Sequence, residues 1–169
     1  GDNVIAVETH VNYMRTATVS MQASIFRVEG TPDDNSSVPT ERSTEPTDAT
    51  QPINAASVKS GTVIQTGDEW NYWTSTEAPA SDWATTGSLQ SWNRGSGPIG
   101  WGDSAAVTAL DIAKKDRAVT YYFARDIDLG AISPNTTLTV KVRADDGVVL
   151  RVNDKIIDTK RMSDGNITH

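Results

Sequence analysis

The chain has 169 residues, 37% of them hydrophobic, and a formal net charge of -7. This acidic balance argues against binding to nucleic acid or anionic membrane surfaces, because phosphate contacts need clustered Lys and Arg. The sequence has no cysteine and only two histidines, His10 and His169, at opposite ends. Disulfides, thiolate catalysis and zinc sites built from Cys or several His residues are therefore excluded. No apolar run has the length of a bilayer span, so we expect no membrane insertion.

Two β-strands are predicted before residue 30. Residues 3–11 are rich in β-branched side chains, a composition typical of a strand. In residues 18–28 apolar and polar side chains alternate, and this period of two indicates a strand buried on one face. The apolar positions on that face are Val19, Met21, Ala23 and Ile25.

Residues 30–57 differ in character from the segments on either side. They contain few apolar side chains, and prolines recur at Pro32, Pro39, Pro46 and Pro52. Such a segment cannot bury enough surface to offset the entropy cost of ordering it. We predict a semi-extended linker, and the alternative is a long ordered loop held on the surface of a domain.

Residues 58–169 have the pattern of an all-β domain. Short β-branched or alternating segments recur between turn signals, a spacing that predicts a sandwich or a barrel. The predicted strands are residues 62–65, 118–129, 137–144, 148–152 and 155–158, with turns at Asp145-Asp146-Gly147 and Asn153-Asp154. Five tryptophans occur between residues 70 and 101 among Gly, Ser and Asp, and we interpret this region as loops that aromatic rings pin to the core.

Residues 68–169 also carry a series of motifs. In chain order these are Trp70-Asn71-Tyr72-Trp73, Asp82-Trp83, Gly97-Pro98-Ile99-Gly100-Trp101-Gly102-Asp103, Thr120-Tyr121-Tyr122-Phe123-Ala124-Arg125, and the stretch from Val142 to Asn153. Their order and spacing resemble the galactose-binding-like jelly-roll module that is appended to secreted bacterial phosphoesterases, nucleases and cell-surface proteins. The resemblance implies an all-β jelly-roll sandwich in an extracellular protein, either secreted or on the cell surface.

The resemblance also bears on the two ends of the chain. Residues 1–29 are similar to the closing strands of such a module, whereas residues 68–169 are similar to about its first two-thirds. One hypothesis is that residues 1–29 pack on the 58–169 body, in the same chain or in a neighbouring copy. The other is a tandem array, in which the chain spans the end of one module and most of the next. We favour packing, because an isolated hairpin is marginally stable and an unfinished sheet exposes its edges.

Asp145 and Asp146 form the first candidate site. Adjacent aspartates at a strand end can offer hard oxygen ligands to calcium, with Asp103, Asp111 and Asp116 as candidate further donors. The pair resembles the paired aspartates of protective-antigen-type lectin domains in fungal adhesins, which implies a role in holding calcium and a sugar. The alternative is a turn in which one aspartate caps backbone N–H groups.

Trp92 and Arg94 form the second candidate site. Pyranose faces pack on aromatic rings, so the tryptophans are candidates for a platform that binds sugar; the alternative is that they anchor the core and the loops. We expect Trp92 to be the most exposed tryptophan, because its neighbours in the sequence are turn formers. Arg94 beside it can bind hydroxyls or a carboxylate, and its alternative role is a solvated surface cation.

Catalysis has little support in the sequence. Glu8 and His10 alternate along a strand and point to one face, where we expect Glu8 to pair with Arg143 or Arg151. We therefore expect a non-catalytic accessory module that binds a glycan or surface polysaccharide, with calcium as the candidate cofactor. The alternative is a structural module whose terminal strands complete a neighbouring sheet, which would give self-association in an array or filament.

Overall fold

The computed structural model describes residues 2–11, 18–29, 60–85, 89–132 and 134–162. Within these ranges the regular structure consists of eleven strands and one 3-10 turn, Lys114–Asp116, with no α-helix. The strands are β1 (Asp2–His10), β2 (Val19–Glu29), β3 (Ser60–Ile64), β4 (Glu69–Trp73), β5 (Asn93–Ser96), β6 (Ile99–Trp101), β7 (Thr108–Ala109), β8 (Thr120–Asp128), β9 (Thr136–Asp145), β10 (Gly147–Val152) and β11 (Lys155–Lys160). The prediction of an all-β fold is confirmed.

The strands form two sheets that pack as a β-sandwich. The first sheet has six strands in the order β11-β10-β1-β8-β4-β5. The second sheet has the order β3-β2-β6-β7, and β9 pairs with β2 as its fifth strand. The pairings are antiparallel except for that of β6 with β7. The main core lies between the sheets, where Ile5 and Tyr121 of the first sheet share a buried cluster with Met21 and Ile25 of the second.

β1 lies in the middle of the first sheet. One edge pairs with β8 from Asp2 to His10, and the other edge pairs with β10 from Ile5 to His10. The four residues from Val4 to Val7 are each 0% exposed. Because successive side chains of a strand point to opposite faces, Ile5 and Val7 pack between the sheets, whereas Val4 and Ala6 pack in a second cluster on the outer face. β1 is therefore covered on both faces and both edges.

β2 has a corresponding position in the second sheet. One edge pairs with β9, and the other pairs with β6 and then β3. The four apolar residues predicted to share one face are all buried. The predicted linker, residues 30–57, lies outside the described residues. Val28 and Ser60 are register partners, so the chain leaves and re-enters the second sheet at adjacent positions.

The prediction that the region between residues 70 and 101 consists of loops is wrong in part, because β4, β5 and β6 lie there. β5 and β6 are short and contain Gly, Asn and Ser, so no alternation of apolar and polar residues marks them. Gly100 permits a close approach of β6 to β2, since a Cβ atom there would lie 1.9 Å from the carbonyl oxygen of Val19. The pairing of β6 therefore depends on a residue that strand propensity disfavours.

The side of the sandwich formed by β9 and β11, here called the open side, is less covered. The predicted inward face of β9 is only half-buried at Leu138, Val140 and Val142, and all six residues of β11 are exposed. Val140 and Val142 line a cleft of about 200 Å³ together with Val148 and Leu150 of β10. The two sheets are therefore incompletely closed along this side within the described part of the chain.

Candidate functional site

A polar cleft of about 490 Å³ lies at the end of the second sheet where β2 begins and β6 and β9 end. We call it the polar cleft and define it by six side chains that line it: Thr18, Ser20, Asp103, Arg143, Asp145 and Arg161. The start of β2 brings these residues together, because Ser20 is the register partner of both Gly100 in β6 and Asp145 in β9. Residues more than 40 positions apart in the sequence thus face one cavity.

Asp103 is fixed within the polar cleft by several contacts. Its Oδ1 atom accepts a hydrogen bond of 2.8 Å from the backbone N–H of Ala105, and its Oδ2 atom lies 3.9 Å from Nη2 of Arg143. The hydrogen bond from Ala105, together with one from Ser20 and the charge of Arg143, lowers the pKa of Asp103 although burial opposes this. Asp103 is therefore an ionised hydrogen-bond acceptor at neutral pH.

Asp145 contributes the second carboxylate of the polar cleft. Its Oδ2 atom accepts a hydrogen bond of 2.5 Å from the hydroxyl of Thr18. Asp146 follows it through a cis peptide bond and is partly buried, but it does not line the cavity. The structure thus brings Asp145 together with Asp103 rather than presenting Asp145 and Asp146 side by side in the cleft.

Calcium binding stays a prediction. The described residues contain no group of three or more His, Cys, Asp or Glu side chains that could hold a metal ion. Of the further donors proposed from the sequence, Asp103 lines the polar cleft, whereas Asp111 and Asp116 line a different surface pocket beside Thr74. Two arginines also line the polar cleft, and one of them, Arg143, already lies 3.9 Å from the carboxylate of Asp103.

The expected exposure of Trp92 is wrong. Its side chain is 8% exposed, and its ring lies 5.7 Å from that of Trp83 and 5.9 Å from that of Trp73. Turn-forming neighbours suggested exposure, but the ring packs in the cluster on the outer face of the first sheet. Arg94 is exposed on β5, where its Nη1 atom lies 3.5 Å from the carboxylate of Glu69. Trp92 and Arg94 therefore do not share a binding surface.

A second pocket lies on the outer face of the first sheet, and no motif in the sequence predicts it. We call it the outer-face pocket; it has a volume of about 370 Å³ and is lined by Glu8, Ala78, Pro79, Ser81, Trp83, Tyr122 and Arg151. Glu8, from β1, is paired with Arg151 of β10, with Nε and Oε1 2.6 Å apart. Of the two expected partners of Glu8, Arg151 is the one observed, whereas Arg143 lies in the other sheet.

The buried polar groups beside Glu8 form a continuous line. Nε2 of His10 lies 3.3 Å from Oε2 of Glu8, and Nδ1 of His10 lies 2.9 Å from the hydroxyl of Thr120. Burial alone would raise the pKa of Glu8, but the contacts with His10 and Arg151 outweigh it and lower that pKa. A hydroxyl, an imidazole and a carboxylate in line are typical of a nucleophile and its base. Thr120 is 1% exposed, however, so a substrate has no access to its hydroxyl.

Comparisons with known proteins identify no relative of the chain. No family model, no curated protein and no solved structure matches the chain. Among the described residues, no helix has the length and hydrophobicity required to cross a bilayer.

Proposed function

We propose that the chain is a non-catalytic accessory module of a secreted or cell-surface bacterial protein, with a jelly-roll topology of the galactose-binding-like type, and that it binds a glycan in the polar cleft. The observation that carries this proposal is that Asp103 and Asp145 line one open cavity together with Arg143 and Arg161. The motifs in the sequence support the proposed source, location and family, and the geometry of the cleft supports the proposed site.

The chemistry of the polar cleft suits a ligand rich in hydroxyl groups. The carboxylates of Asp103 and Asp145 accept hydrogen bonds, and the side chains of Arg143 and Arg161 only donate them. A sugar hydroxyl can donate to a carboxylate while it accepts from a guanidinium, and such charge-assisted bonds are stronger than neutral ones. Hydrogen bonds to charged groups contribute about 1.5–3 kcal/mol each. The cleft therefore has the polar groups that a glycan needs for orientation.

A glycan array or a polysaccharide pull-down with the full chain tests this proposal. We expect Asp145→Asn to weaken binding by about tenfold or more, because it removes the charge from one acceptor. Asp126→Asn is the matched control, since Asp126 is exposed on β8 in the other sheet. Equal binding by the unaltered chain and the Asp145→Asn variant would assign the ligand to another surface.

Calcium is a separate part of the proposal. Calcium takes roughly six to eight oxygen ligands. The two carboxylates and the hydroxyls of the polar cleft would supply some of these ligands, and a bound sugar would supply the others. Arg143 has a side chain that is 67% exposed, so it has space to turn away from Asp103. We expect calcium, but not an equal concentration of magnesium, to raise the melting temperature of the full chain. An unchanged melting temperature and unchanged spectra would exclude the ion.

The second candidate function is a structural module that assembles through exchange of its first strands. The observation in its favour is that β1 has an interior position in the first sheet and β2 has one in the second sheet. Without these two strands, both sheets would have open edges that the first strands of another copy could fill.

The absence of native cysteine allows a direct test of strand exchange. Ser24 and Lys141 are register partners across β2 and β9, so the double variant Ser24→Cys with Lys141→Cys can form a disulfide there. Assembly predicts disulfide-linked dimers or longer species on a denaturing gel. Disulfide-linked monomers at every protein concentration would contradict assembly and show that the strands pack within one chain.

A further inference from the structure

We propose that the outer-face pocket is a second binding site, which takes a single sugar ring or a similar small neutral polyol with two adjacent hydroxyl groups. The proposal does not depend on the polar cleft, because the two cavities lie on different sheets and share no lining residue. It rests on the hydrogen-bonding groups that remain available in the pocket, on its aromatic wall and on its charge.

The charged wall of the pocket is formed by two neighbouring strands. Ala6 of β1 is the register partner of Arg151 in β10, so Glu8 is the diagonal neighbour of Arg151 on the same face. The side chain of Glu8 is 4% exposed and that of Arg151 is 20% exposed. Both side chains are therefore held in place by the sheet and present their charged groups to the cavity together.

Glu8 and Arg151 retain hydrogen-bonding capacity after their mutual contact. Each oxygen of the Glu8 carboxylate has two lone pairs, and its contacts in the described part of the chain are one with His10 and one with Arg151. Arg151 uses Nε for Glu8 and Nη1 for Asp154. No hydrogen bond or ion pair joins its Nη2 group to another described residue. An acceptor and a donor thus stand side by side at the pocket wall.

This arrangement matches a vicinal diol. One hydroxyl donates its hydrogen to Glu8, and the adjacent hydroxyl accepts a hydrogen bond from Nη2 of Arg151. The two groups are formally of opposite charge, so they cancel, and Asp154 adds negative charge beside Arg151. A neutral ligand avoids the unfavourable contact that an anion would make with Glu8 and Asp154. The pocket therefore favours a neutral polyol over a carboxylate or a phosphate.

Aromatic residues that line the same pocket supply apolar surface of fixed orientation. Trp83 is stacked with Trp92 at an interplanar angle of 16° and meets Tyr122 edge to face, with ring centroids 5.0 Å apart. Trp83 is 7% exposed and lines the pocket together with Pro79 and Ala78. The C–H groups of a sugar ring can pack there while its hydroxyls face Glu8 and Arg151. The volume of about 370 Å³ accommodates one ring rather than a chain of several.

The test uses the full chain and two defined probes. Methyl α-D-mannopyranoside carries adjacent hydroxyls, and cyclohexanol, a six-membered ring with one hydroxyl, is the control probe. The indole N–H signals in an NMR spectrum report binding, and the Trp83→Phe variant assigns the signal of Trp83. We expect a saturable shift of the Trp83 signal with the mannoside, at millimolar dissociation constants, and no saturable shift with cyclohexanol.

Three variants locate the bound probe. Ser81→Tyr fills the pocket from an exposed lining position and is expected to abolish the shift without changing the buried Glu8. Glu8→Gln keeps the size of the side chain and is expected to weaken binding by about tenfold or more, since it removes a charged acceptor. Asp145→Asn in the polar cleft is expected to leave the shift unchanged. No saturable shift, or a shift that persists in Ser81→Tyr or disappears in Asp145→Asn, would overturn the proposal.

Discussion

The strand pair β1 and β2 and the open side formed by β9 and β11 belong to the same sandwich but differ in how they are covered. β1 and β2 pair along both edges and contribute fully buried side chains to the core. On the open side, the inward face of β9 is half-buried, and Ile156 and Ile157 of β11 are 52% and 59% exposed. The difference shows that the earliest strands in the sequence carry more of the packing than the last ones.

Deletion of residues 1–29 is the strongest test of this comparison. We expect the remaining chain to lose cooperative unfolding and to aggregate, because β8, β10 and β9 would each be left with an unpaired edge. Circular dichroism during thermal unfolding and size-exclusion chromatography measure the two effects. A fragment 58–169 that remains monomeric and unfolds cooperatively would show that the comparison is mistaken.

Truncation of one isoleucine on each side measures the difference in free energy. Ile5→Ala removes a side chain that is 0% exposed, and we expect a loss of about 4 kcal/mol in the free energy of unfolding. Ile157→Ala on β11 is the matched variant, with an expected change within about 0.5 kcal/mol because that side chain is already largely in water. Urea denaturation of both variants provides the values, and equal losses would contradict the difference in coverage.

Two glycines beside β2 test how closely its neighbours approach. Gly100→Ala places a methyl group against the backbone of Val19, so we expect a loss of about 3 kcal/mol. Gly61→Ala in β3 is the control, because no atom lies within 4 Å of the added Cβ, and we expect a change within about 0.5 kcal/mol. Comparable effects in urea denaturation would mean that β2 can move away from β6 at little cost.

The decrease in the free energy of unfolding at low pH distinguishes a buried carboxylate from an exposed one. The pKa of Glu8 is lowered in the folded protein, so its contribution is complete above the unfolded pKa of about 4.3 and is lost as the pH falls through the folded pKa. Glu8→Gln should therefore reduce the loss of stability that the unaltered chain shows below about pH 5.

The matched carboxylate on the open side is Asp158. Its pKa is lowered by a hydrogen bond from Lys160, but both side chains are at least half exposed, so solvent screens their interaction. We expect Asp158→Asn to leave the pH dependence of urea denaturation unchanged. If Asp158→Asn changed the pH dependence more than Glu8→Gln did, the loss of stability in acid would be attributable to Asp158 rather than to Glu8.

Much of the strand content could be predicted from the sequence, because alternation marks a strand with one covered face. Alternation located β2, β8 and β9, whereas β-branched composition and flanking turns located β1, β3, β10 and β11, each within a few residues. Neither signal located β5 or β6, since those strands are short and Gly100 is required by a close backbone approach rather than by burial. The position of Trp92 was missed because its packing depends on Trp73 and Trp83, whose proximity is a property of the folded sheet.

The candidate sites were predicted less completely than the strands. Asp145 was recognised from its turn, but its partner Asp103 is brought close by the register of β2 with β6 and β9. The pairing of Glu8 with Arg151 was one of two alternatives, which the strand order of the first sheet decides. In each case local composition identified the residue, whereas its neighbour depended on contacts between distant parts of the chain.

The central position of β1 also has a consequence for the order in which the protein is made. β1 leaves the ribosome before either of its neighbours, because β8 begins at Thr120 and β10 at Gly147. The two strands that pair with it therefore become available only after more than a hundred further residues have been synthesised. Strand pairings between residues so distant in sequence form slowly, because the chain between them loses conformational entropy before any contact compensates for that loss. The topology thus leaves both edges of this nascent strand unpaired during most of the synthesis, and an unpaired strand edge is prone to aggregation.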